Sequence, residues 1–225
     1  MILQRSNKKE LMDDFSLNDG RIDKALKELH RINRYLGGNT VSNLGIRFFK
    51  NGQVTEMKIA DIGGGASDIL YDMNNEKNNL IIYSVDLNKY SCRYQKKEKG
   101  NNNIICADAL KLPLKEKSFD VVHASLFLHH FEKDEIVLLI RAFLALSRNG
   151  IVINDLRRNI FAYSGIKILT AIFSKSEFVK NDGPLSVRRG FIKKELVNIL
   201  TEAGVKKYLI RRKWAFRFLL IIPVV

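Results

Sequence analysis

Cysteine is scarce in this chain, and long apolar runs are missing. Cys92 and Cys106 are the only two cysteines among 225 residues. Their number and spacing exclude a disulfide framework and a cysteine zinc site, and a reduced, cytoplasmic setting is the expectation. No stretch approaches the ~20 apolar residues of a membrane span. The nearest candidate, residues 216–225, is interrupted by Arg217 and Pro223 and reads as a final core strand. The first residues lack the apolar core of a secretory signal, and no internal repeat is present. What remains is a chain long enough to bury a core without staples, with strand-like and helix-like segments alternating as in an α/β sheet.

The most informative stretch is Asp61-Ile62-Gly63-Gly64-Gly65-Ala66-Ser67, at the end of an apolar run over residues 58–62. Glycines let a chain turn sharply and approach a ligand where a Cβ would block it. A helix expected from Asp68 would then aim its first amides at the ligand. Four more apolar runs follow, over residues 80–85, 103–107, 119–125 and 150–153. They lead into Asp86, Asp108, Leu128-His129-His130 and Asn154-Asp155. Short apolar strands ending in polar groups fit a parallel sheet with a site along its carboxyl edge. Asp86, 25 residues after Asp61, suits a ribose diol.

With Ala107-Asp108-Ala109-Leu110-Lys111-Leu112-Pro113-Leu114 and Phe119-Asp120-Val121-Val122, residues 55–155 resemble the class I S-adenosylmethionine-dependent methyltransferases, in their small-molecule (ubiquinone/menaquinone or polyketide-type) branch. Leu-His-His after the fourth strand fits that branch. The resemblance implies a Rossmann-like, seven-stranded, mostly parallel sheet with helices on both faces. Its last strand would be antiparallel and inserted between the fifth and sixth. It assigns donor binding to Asp61, Gly63, Gly64, Gly65, Ser67, Asp86, Leu87, Asp108, Ala109 and Ser125. Within that set Asp86 would hold the ribose hydroxyls, Asp108 the adenine amino group with the Ala109 amide nearby, and Leu87 one face of the adenine. Ser67 departs from the family's third small glycine. A dinucleotide fingerprint needs a glycine where Asp68 stands. An aspartate would repel a pyrophosphate, whereas the cationic sulfonium and amine of S-adenosylmethionine tolerate it.

Outside the common core, residues 1–50 are expected to form a helical lid, with a helix over 23–36 and a short helix or turn over 43–49. Residues 51–225 form the methyltransferase core, with an insertion at 156–190 covering the acceptor site. That insertion reads as an apolar helix over 159–173 and a loop over 174–189, because Asp182-Gly183-Pro184 is turn chemistry. A helix over 191–203 and strands over 205–210 and 215–222 complete the chain.

The expected reaction is O-methylation of a phenolic or polyketide-like small molecule. C-methylation of a quinone-like ring, RNA methylation and non-catalytic S-adenosylmethionine binding are the alternatives. Removing a phenolic proton calls for a base, and histidine suits neutral pH. His129 and His130 are the candidates, with Asp155 in reserve, while His123 reads as a core residue and His30 as surface or lid. No metal is expected. The formal net charge of +14 is concentrated late, with ten Lys or Arg against Glu195 and Glu202 between positions 188 and 217. Aromatic residues are not interleaved there as a stacking platform requires, and no Asn-Pro-Pro-aromatic motif follows the fourth strand. The partner is therefore expected to be a small-molecule acceptor, with no specific nucleic acid and no membrane span. The sequence leaves the oligomeric state open.

Overall fold

The computed structural model describes residues 4–14, 20–50, 56–65, 69–71, 79–100 and 103–224. Seven strands make one sheet: β1 (Met57–Ile62), β2 (Leu80–Asp86), β3 (Ile104–Cys106), β4 (Phe119–Ser125), β5 (Ser147–Leu156), β6 (Leu209–Lys213) and β7 (Arg217–Pro223). Their order is β3-β2-β1-β4-β5-β7-β6. The first five pair in parallel, and β7 runs antiparallel to both neighbours, β5 and β6. This is the expected Rossmann-like sheet, with the antiparallel strand inserted between the fifth and sixth.

Both faces are covered, which is why the central strands read as unbroken apolar runs. One face buries Phe119, Phe143 and Phe191 with α4 (Lys133–Leu146) and α7 (Lys193–Glu202). The other buries Ile59, Val121 and Val152 under Val41 and Ile46 of α2 (Gly38–Lys50). A Cβ on Gly45 would lie 2.3 Å from Val152, so that glycine lets α2 sit directly on the sheet. α1 (Gly20–Tyr35) precedes it and stops at Gly37, whose φ of +73° ends a right-handed helix. Gly38 then opens α2, five residues earlier than the expected start at 43. α3 (Lys89–Lys99) links β2 to β3. Residues 69–71 are helical, and the expected helix start at Asp68 falls outside the described residues.

Two expectations are corrected. Residues 174–189 are mostly not a loop. After α5 (Ile160–Phe173), α6 runs Glu177–Arg189 with Pro184 inside it. A proline there forfeits the bond to the carbonyl four residues back, but tertiary contacts outweigh the loss. Phe178, Val179 and Val187 are buried, and a Cβ on Gly183 would touch Ile166 and Thr170 of α5 at 3.3 Å. Asp182, buried on α6, accepts the amides of Leu11 (2.8 Å) and Met12 (3.0 Å). The final strands also start later than expected. Ala215 and Phe216, at φ +53° and +56°, form the hairpin turn, and the Val205 amide closes the end of α7 on the Leu200 carbonyl.

Candidate active site

The carboxyl ends of β1, β2 and β4 meet at the glycine turn. Gly63 has a φ of +68°, and a Cβ on it would overlap the Phe127 ring at 2.0 Å. Gly65 has a φ of +53° with open space where its Cβ would project. The turn is tied to β2 by the Gly63 and Gly64 amides on the Val85 carbonyl. Asp86 accepts from the Gly65 amide (2.7 Å) through one oxygen and from the Asn88 amide (2.8 Å) through the other. Burial pushes the Asp86 carboxyl up, against the pull of those two amides. From the far side, Gln95, fully buried in α3, donates to the Gly65 carbonyl at 2.5 Å. Asp108 caps a short 3-10 turn by accepting from the Leu110 amide (2.9 Å). Leu126, at φ +53°, bends the chain out of β4.

A cavity of about 640 Å³ opens over this edge. Of the sequence-predicted donor residues, Asp61, Gly63, Gly64, Gly65, Asp86, Leu87, Asp108, Ala109 and Ser125 all line it. Ser67 lies outside the described residues. The Ser125 hydroxyl is buried and has no hydrogen-bond partner among the described residues. An orphaned hydroxyl, a glycine with room in place of a Cβ and two carboxylates with spare lone pairs fit an adenosyl ligand.

The candidate catalytic residues separate. His130 lines the cavity, whereas His129 and Asp155 do not. His129 is 2% exposed, with Nδ1 2.7 Å from Asp155 and Nε2 3.4 Å from Glu10. Burial disfavours the charged ring, but the two carboxylates prevail and bring His129 from 6.5 up to about 10. Glu10 and Asp155 are held below their ordinary values by the same ring, against their own burial. His129 is therefore an imidazolium pinned between acids. His130 instead places Nδ1 2.8 Å from Asp13, which burial pushes up and His130 pulls below its ordinary value. Glu10, His129 and His130 have ligand atoms within 4.8 Å of one another, the composition of a metal set. Here His129 is held between Glu10 and Asp155, and the His130 ring faces Asp13.

Sequence reasoning expected a lid from residues 1–50 but named none of its lining side chains except His30. Asn7, Lys9, Glu10, Met12 and Asp13, with Leu26, Leu29, His30 and Asn33 of α1, line the cavity as its N-terminal wall, or roof. Buried Arg189 holds that roof to the histidine turn. Its Nε donates to the His129 carbonyl (2.9 Å), Nη2 to the His130 carbonyl (2.5 Å) and Nη1 to the Lys8 carbonyl. Arg189 is the one lining residue from 156–190 among those described. That segment covers less of the cavity than expected because α5 and α6 pack beside the roof. They brace it through Asp182 and through Ser186, which donates to Glu10. His123, a core residue as expected, bridges Asp61 (2.7 Å) and Ser42 (2.9 Å). Asn154 then donates to Ser42 and accepts from buried Arg217, which reaches Asn33 of α1. A continuous polar path thus runs from the end of β1 to the roof.

Residues 60–154 match the family model described as a methyltransferase domain. No curated protein matches the sequence. Among solved structures, an O-methyltransferase family protein from Burkholderia thailandensis superposes at a TM-score of 0.66 with 19% identity, over 97% of this chain and 65% of that one. The plantazolicin methyltransferase BpumL, in complex with S-adenosylhomocysteine, gives 0.63 with 17% identity, over 92% and 100%. A S-adenosylmethionine-dependent methyltransferase from Aquifex aeolicus gives 0.62 with 15% identity, over 89% and 97%. At these identities the structures speak for the fold, and the matched domain lies at its centre. Residues 60–154 thus carry a methyltransferase domain, set in a fold shared with S-adenosylmethionine-dependent methyltransferases.

Proposed function

We propose that this methyltransferase acts on an oxygen of a phenolic or polyketide-like small molecule, held under the N-terminal roof. The observation that carries the reading is the continuity of one cavity. Asp86 and Asp108 line it together with His130 and Asp13. S-adenosylmethionine, when bound, supplies a methyl group on a positively charged sulfonium. Asp86 is the residue for the ribose hydroxyls and Asp108 for the adenine amino group, with Leu87 against the ring. The roof and Phe131 exclude water and orient the acceptor, and such positioning supplies much of the acceleration.

His130 is the group that takes the acceptor proton, with Asp13 orienting its ring. His129 cannot take it, being already protonated at neutral pH, and Asp155 is committed to His129. The basic surface does not enter the site, so a nucleic-acid acceptor is not favoured.

Turnover on a panel of phenols and quinols, read by S-adenosylhomocysteine release, tests the reaction. With an acceptor in hand, His130→Ala is expected to lower turnover about 10²–10⁴-fold, with donor affinity near that of the parent. Unchanged turnover would leave positioning as the whole of catalysis and remove His130 as base.

A further inference from the structure

α5 is almost entirely apolar, yet it faces outward. Phe161, Ile168, Ile172 and Phe173 are 74%, 60%, 66% and 77% exposed, and Thr170 is its one buried residue. Phe161, Ile168 and Ile172 are spaced seven and four apart, so they share one stripe. A stripe of this kind on a soluble surface marks a place where something apolar docks.

The surroundings indicate what docks. Helix α5 contains no acid, and Lys167 and Lys175 are exposed on and just after it. Three residues before α5, Arg157 donates its amide to the Phe216 carbonyl and stacks over the Phe216 ring, in the turn between β6 and β7. That turn also carries Trp214, 76% exposed, next to Arg211 and Arg212 on the exposed edge strand. Trp214 lies against Gly37, and Tyr35, 83% exposed, ends α1 two residues earlier. Exposed aromatics and an apolar stripe among Lys and Arg, on a chain of net charge +14, match a lipid headgroup boundary of negative charge. A second copy of the chain would bring the same cations face to face.

We infer that the α5 stripe, with the Trp214 turn beside it, seats the enzyme on an anionic membrane surface. Among the described residues no helix is long and apolar enough to cross a membrane, so the contact is peripheral. Tyr35 ends the helix whose Leu29 and Asn33 line the cavity, while α5 and the Trp214 turn lie outside that lining. The inference does not depend on which acceptor is used.

Co-sedimentation of the full chain with phosphatidylcholine vesicles, with and without phosphatidylglycerol, tests it. Binding is expected only with phosphatidylglycerol, and it should weaken as salt rises. The double substitution Ile168→Glu, Ile172→Glu should reduce it roughly tenfold or more, with an unchanged melting curve because both residues are exposed. Three results would overturn the inference. They are no binding by the parent, equal binding by the double variant, or light scattering that shows the parent to be an oligomer which the double variant dissociates.

Discussion

At the scale of single residues, Asp86 does two things that a reading of spacing separates. Its position at the tip of β2 was legible, because an apolar run has to end there. Its grip on the Gly65 and Asn88 amides was not, since those bonds depend on how the turn folds back. Asp86→Ala removes the partner proposed for the ribose diol and also releases the turn. Donor affinity should fall by roughly 1–3 kcal/mol, measured by titration calorimetry, and unchanged affinity would reject the assignment. His129 carries a different lesson. A histidine after β4 reads as a base, but two carboxylates, from residues 10 and 155, meet on it only in three dimensions. Its folded value of about 10 lies above the ordinary 6.5. The stabilisation is therefore complete below about 6.5 and is lost as pH rises towards 10. Glu10 and Asp155 have depressed values, so their share is present above their ordinary values and is lost as the pH falls below them. The three titrate together. Melting temperature against pH should show an extra stabilisation in the parent, greatest near pH 5–6, that is reduced in Glu10→Gln, where Asp155 still faces the ring. Parallel curves for the two proteins would sink this account.

At the scale of elements, periodicity and strand ends were enough to place β1 to β5, α1 and α7. Asp182-Gly183-Pro184 misled because local turn chemistry is outweighed by packing that only the fold supplies. Gly183 gives α5 room to approach, and Asp182 serves a 3-10 turn 170 residues away in sequence. A helical lid was the expectation for residues 1–50, and the anchors that fasten residues 7–13 were invisible because each is a lone polar residue in an unremarkable context. Asp182→Ala should free the Leu11 and Met12 amides, costing about 1–3 kcal/mol of stability. It should raise the acceptor KM more than it changes donor affinity. A melting temperature and KM equal to the parent's would show that the roof is held by Arg189 and Glu10 alone.

At the scale of the whole molecule, charge and site are on different surfaces. The sequence shows the excess of Lys and Arg after residue 188, but not where those side chains point. In the fold, Arg189 and Arg217 are buried, each bonded to carbonyl or amide oxygens. Burial brings Arg217 down to about 10. Lys193, Lys194, Lys206, Lys207, Arg211 and Arg212 remain at the surface, away from the cavity. A run that looked like a single basic patch is thus divided between internal fasteners and a solvated exterior. Exterior charge of this kind attracts polyanions without reading them. Duplex or single-stranded RNA should bind at low salt, with log affinity falling steeply and linearly against log salt. No RNA should be selected over another near 0.15 M salt, the physiological ionic strength. Fluorescence anisotropy over a salt series, with two RNAs of unrelated sequence, measures this directly. A sub-micromolar complex with one of them at that salt, and not the other, would mean that the cations outside the cavity serve recognition. A nucleic acid would then replace the small molecule as the acceptor to be tested.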